Sequence, residues 1–156
     1  MRGAFTLIEL VVVLVILSLL SGLVAFSLSG TTDNYRMSQA VETFELFDAR
    51  ARRTARYNQT PIVASIDSSN RILRVQNTNS VKIASFNLPR QVEIDEVRYS
   101  APSDQGKLLV NSRGVSNSYA VRLRRGKLNT WILVIGGSGQ ILKSVSENKV
   151  NAILSM

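Results

Sequence analysis

Phe5-Thr6-Leu7-Ile8-Glu9, running into Leu10-Val11-Val12-Val13-Leu14, decides how this chain begins. It places one carboxylate, Glu9, at the entrance to a run with no charged residue from Leu10 to Thr32. At about 1.5 Å rise per residue, a helix of that length covers the roughly 30 Å hydrocarbon layer of a bilayer. An ionisable side chain within such a segment is costly in lipid unless something pairs with it. Glu9 is therefore the residue a functional account has to use.

Two general readings of the N-terminal run leave Glu9 without a role. A secretory signal peptide would carry a basic start, a shorter apolar core and a small-x-small cleavage site. Ala25-Phe26-Ser27 and Ser27-Leu28-Ser29 fit that site loosely, but the start has one side-chain cation, Arg2. A plain single-pass anchor would keep Arg2 inside and send the bulk of the chain outside.

A third reading uses Glu9. Gly3-Ala4-Phe5-Thr6-Leu7-Ile8-Glu9-Leu10-Val11-Val12-Val13-Leu14 resembles the start of type IV pilins and type II secretion pseudopilins. The resemblance implies that a prepilin peptidase cuts between Ala4 and Phe5 and that the new Phe5 amine is methylated. It also implies that Glu9, then fifth in the mature chain, neutralises the N-terminal amine of a neighbouring subunit. The physics agrees: a partner cation favours the assembly over a lone subunit with a carboxylate in lipid. The family usually has Gly immediately before the Phe, where this chain has Ala4. Cutting after Gly3 instead would make Glu9 sixth and lose the Phe-to-Glu spacing.

The 156 residues suit one domain beyond this segment. The chain has no cysteine and no histidine, which excludes disulfides, Cys/His zinc sites, thiol nucleophiles and Ser-His chemistry. No cofactor and no metal is expected. The net charge is +8, and it stays +8 when Arg2 and Glu9 are set aside. Such a balance suits anionic surfaces, nucleic acid or acidic partners, or an ordinary solvated surface.

From Tyr35 to about Tyr57 the pattern is an amphipathic helix, with Val41, Phe44, Phe47 and Ala51 on the core face and Ala40 and Ala55 widening it. Ser27, Ser29, Gly30, Thr31 and Thr32, then Asp33-Asn34, predict a local interruption before it. Asp48 and Arg52 form a favourable i,i+4 pair. Arg50, Arg52, Arg53 and Arg56 suit the C-terminal end of the helix dipole. Beyond Thr60-Pro61 short strands follow: 62–66, 72–76, 81–88, 92–99, 108–111, 119–125, 130–135 and 140–145, with a last edge strand over 150–154. Asp67-Ser68-Ser69-Asn70 predicts a hairpin turn. The apolar parity switches between Val92/Ile94 and Val97/Tyr99, which predicts a β-bulge near Asp95-Glu96. The expected fold class is α+β, a long N-terminal helix packed on an antiparallel β-sheet domain.

Leu109-Val110-Asn111-Ser112-Arg113-Gly114, Tyr119-Ala120-Val121-Arg122-Leu123, Trp131-Ile132-Leu133-Val134 and Gly139-Gln140-Ile141 resemble the C-terminal pattern of the GspH/FimT-type minor pseudopilins. The Ala- and Arg-rich stretch 49–61 fits the same family.

Other clusters compete for a chemical role. Gly136-Gly137-Ser138-Gly139 lacks the Lys-Ser/Thr of a phosphate loop and reads as a hairpin turn. Glu93, Asp95 and Glu96 suggest an acid-base pair or a calcium site, or more simply a solvated, bulged strand. Arg122, Arg124, Arg125 and Lys127 are the densest basic cluster and the candidate nucleic-acid contact, since FimT-like minor pilins are associated with DNA uptake. The simpler reading is a charged strand edge that deters pairing, with Trp131 in the core.

The expected organisation is a prepilin leader at 1–4, a transmembrane and assembly helix at 5–30, and a periplasmic globular domain at 31–156, helical over 35–57 and β-rich over 61–156. The reading is a minor pseudopilin of a type II secretion system, not an enzyme, in the bacterial inner membrane. Its partners would be other major and minor pseudopilins and prepilin peptidase. The alternatives are a FimT-like minor pilin that binds DNA, and a single-pass membrane protein with a β-rich binding domain.

Overall fold

The computed structural model describes residues 6–102 and 106–155, and the backbone alone for 22–31. One helix, α1, runs from Leu7 to Asn58, and the chain divides into two compact units, 1–35 and 36–156.

In the first unit, apolar side chains from Leu7 to Leu20 are exposed on every side of the helix. The hydroxyls there turn inward on their own helix: Ser18 Oγ donates to Val15 O and Ser21 Oγ to Leu17 O, each at 2.8 Å. A helix apolar all round belongs in a core or in lipid. Among the described residues no helix is long and apolar enough to cross a membrane. The segment expected to do so, 5–30, includes Phe5 and side chains that fall outside the described residues. The expected interruption at Asp33-Asn34 is absent, because α1 passes through both. Weak propensities of a few tenths of a kcal/mol per residue do not break a helix already propagating from both sides.

Among the described residues of the second unit, eight strands form two antiparallel sheets: β1 (Ile62–Asp67), β2 (Ile72–Asn77), β3 (Lys82–Asn87) and β5 (Lys107–Val110) in the order β3-β2-β1-β5, and β4 (Glu93–Tyr99), β6 (Tyr119–Arg125), β7 (Leu128–Val134) and β8 (Ile141–Lys143) in the order β4-β6-β7-β8. The helix stripe Ala40, Phe44, Phe47, Ala51 and Ala55 is fully buried, and Met37 extends it one turn earlier; Val41 is only partly buried at its flank. Phe47 meets Phe86 of β3 edge-on at 6.3 Å, while Ile62, Leu73, Val121 and Leu123 close the same core from both sheets. Asp67 caps the β1–β2 turn, accepting from the Asn70 backbone at 3.0 Å. The expected bulge is there: the β4–β6 register shifts between Ile94 and Glu96, which returns Val97 to the core face alongside Ile94.

The segment expected as a last strand is instead a helix, α2 (Glu147–Leu154). Ser146 takes extended geometry at its N-cap and Glu147 sits in its first turn, where a carboxylate suits the dipole. Val150, Ile153 and Leu154 then share one face at helical spacing. They cover a second apolar cluster, Ala120, Trp131 and Leu133, on the outer side of the β6–β7 pair. Arg98 clips the helix down by donating to Glu147 and Asn151, four residues apart on one face.

Candidate assembly site

Thr6 precedes α1 and caps it: the Glu9 backbone N–H donates to Thr6 O at 3.1 Å and to Thr6 Oγ1 at 3.3 Å. Thr6-Leu7-Ile8-Glu9 is the Thr-x-x-Glu spacing of a capping box, a signal that the sequence reading above does not use. Glu9 is exposed in the first turn of α1, and no described residue forms an ion pair with its carboxylate. The helix N-terminus already favours negative charge there. Among the described residues the site has no full counter-charge. Ala4 and Phe5, the candidate processing residues, lie outside the described residues.

The second polar centre is internal. Asp48 and Arg52 pair as their i,i+4 spacing predicts, and the pair is buried: their side chains are 3% and 6% exposed. Arg52 Nε donates to Asp48 Oδ2 at 2.6 Å, and its Nη1 donates to Gly114 O and Gly136 O, each at 2.8 Å. Arg52 Nη2 donates to Ser116 Oγ at 3.1 Å, and Tyr119 Oη donates to Asp48 Oδ1 at 3.1 Å. Burial first, then the Asp48 charge, push the Tyr119 hydroxyl well above the usual tyrosine range. Arg52 is thus held by buried partners. It ties the loops 111–118 and 135–140 to the helix. The turn that carries Gly136-Gly137-Ser138-Gly139 joins β7 to β8, closed by Gly139 N–H to Ile135 O at 2.8 Å, and its role is structural.

The acidic and basic clusters face each other across β4 and β6. Arg122 meets Asp95 at 2.6 Å and Glu96 at 3.3 Å; Arg124 meets Glu93 at 3.1 Å and Asp95 at 3.5 Å. Arg125 is not in an exposed turn. It is 7% exposed at the end of β6 and donates to Arg90 O and Gln91 Oε1. Only Gly126-Lys127 form the turn, with Gly126 at φ +56°. Trp131 is buried in the second cluster, with the guanidinium of Arg98 4.8 Å and that of Arg122 5.5 Å from its ring centre. The structure thus brings Arg122, Arg124 and their carboxylates together as a matched ladder, and does not join Arg122, Arg124, Arg125 and Lys127 into one open cationic strip. Among the described residues no cluster of three or more His, Cys, Asp or Glu is placed to hold a metal ion.

Comparison with known proteins adds two findings. Residues 1–25 match the family model of the prokaryotic N-terminal methylation motif. Among solved structures, the minor pseudopilin EpsH from the type 2 secretion system of Vibrio cholerae has a similar fold, with a TM-score of 0.52 and 12% sequence identity. That likeness covers 68% of this chain and 94% of the other. No curated protein matches in sequence. The chain thus carries an N-terminal stretch similar to the methylation motif and an α+β fold similar to that of this pseudopilin.

Proposed function

We propose that this pilin-like chain is a minor pseudopilin of a bacterial type II secretion system, of the GspH/FimT type. The first part of α1 sits in the inner membrane, and prepilin peptidase cuts between Ala4 and Phe5. Phe5 is methylated, and the helix then enters a pseudopilus or its tip beside other major and minor pseudopilins, supporting protein export. The globular domain lies in the periplasm.

The observation that carries this reading is Glu9: an exposed carboxylate in the first turn of a helix whose apolar side chains from Leu7 to Leu20 are uncovered all round, inside a matched methylation motif. On insertion scales a charged side chain costs on the order of 3 kcal/mol at the centre of a span. A cation from a neighbouring N-terminus offsets that cost only in the assembly. A DNA-uptake role has less support, because Arg122 and Arg124 are already matched by carboxylates of β4.

The test uses full-length Glu9→Ala co-expressed with the partner pseudopilins. Incorporation, read by crosslinking into sheared fibres, is expected to fall about tenfold, the equivalent of about 1.4 kcal/mol. The protease resistance of the globular domain is expected to stay unchanged. Wild-type incorporation of the variant would remove the pairing mechanism.

A further inference from the structure

Leu46, Arg50, Arg53 and Tyr57 recur at i, i+4, i+7 and i+11 and share one face of α1. That face is turned away from the core. Leu46 is 62% and Tyr57 87% exposed, and Arg50 and Arg53 are exposed as well. A groove of about 370 Å³ runs along it, lined by Arg50, Arg53, Thr54, Tyr57 and Asn58 and floored by Ile83 of β3. β3 is an edge strand, hydrogen-bonded to β2 on one side.

The arginines of this helix segment divide sharply. Arg52 is spent inside on Asp48 and two carbonyls, and Arg56 lies against Gly114. Among the described residues, no carboxylate forms an ion pair with Arg50 or Arg53. On the sheets the pattern is the reverse, with Arg74, Arg98, Arg122 and Arg124 each meeting an acid of their own chain.

We propose that this groove is a docking site for an acidic, partly apolar peptide segment of a different protein. Two guanidinium groups one helical turn apart take carboxylates, and Ile83 and Tyr57 take an apolar or aromatic side chain between them. A second copy of the chain offers few such carboxylates, because Glu45, Asp48, Asp67, Glu93, Asp95, Glu96 and Glu147 are each already matched to a cation of their own chain. Nucleic acid is a poor fit too. A phosphate backbone is gripped by a long run of cations, and here two stand in a short groove beside Tyr57 and Ile83. The inference does not depend on Glu9 or on the secretion system served.

The test is direct binding of the full-length chain in neutral detergent micelles to a fluorescein-labelled peptide alternating Glu and Leu. Saturable binding is expected, weakening as salt rises from about 50 to about 500 mM. The Arg50→Ala/Arg53→Ala double variant is expected to bind about tenfold more weakly, and Tyr57→Ala several-fold more weakly. Lys127→Ala, at the β6–β7 turn, should bind as wild type does. No saturable binding would overturn the proposal, as would equal binding of the Gln-for-Glu peptide or an unaffected double variant. Displacement of the peptide by a single-stranded oligonucleotide of higher affinity would also overturn it, in favour of a nucleic-acid site.

Discussion

Arg52→Ala is expected to destabilise the globular domain by about 3–5 kcal/mol, the range for breaking a buried ion pair by removing one partner. The substitution strands Asp48 Oδ2 in a site where both side chains are nearly sealed from water. It also removes donors from Gly114 O and Gly136 O. An unsatisfied buried acceptor costs about 1–3 kcal/mol by itself. The neighbouring Arg53→Ala, on the exposed side of the same turn, should stay within about 0.5 kcal/mol of wild type. Urea unfolding of the full-length chain in micelles reads the difference as a fall in midpoint with the slope preserved. Equal midpoints for the two variants would show that the polar centre does not hold the loops.

Gly136→Ala is expected to cost about 3 kcal/mol, at the upper end of overpacking penalties. A Cβ there would lie 2.0 Å from Ser116 O, 2.5 Å from Asn117 C and 2.7 Å from Asn117 O. These are backbone atoms, so no side-chain rotation relieves the contact. The loops must separate, and Arg52 bridges the same two loops. Gly137→Ala is the matched control. Its Cβ would meet nothing within 4 Å, so little change is expected. Because Gly136 and Arg52 act on one junction, the double variant should lose less than the sum of the singles. Strict additivity in unfolding measurements would separate the two effects and contradict the shared junction.

The legible parts of this chain were those set by local pattern. The stripe from Ala40 to Ala55 repeats at helical spacing, so its burial could be read directly. The bulge in β4 showed as a switch of apolar parity. What escaped depends on contacts between distant segments. The Asp48–Arg52 spacing looks the same on a surface or in a core, and Arg52 is buried because carbonyls 62 and 84 residues away close over it. The acidic set of β4 and the basic set of β6 were each visible, but their matching follows from strand order, which places β4 beside β6. A short apolar run such as 150–154 fits a strand or a helix equally well, and the Arg98 clip and the Trp131 cluster select the helix. At the candidate assembly site, the lone carboxylate was evident from charge alone, whereas the Thr6 cap needed the capping-box spacing to be noticed.

The reading as a processed, membrane-assembled subunit is tested most directly by the intact mass and N-terminal residue of the mature protein isolated from membranes. A chain beginning with N-methylated Phe5 is the predicted result. A chain that begins at Met1, or one that starts at Leu28 or Gly30 after loss of the apolar run, would contradict it.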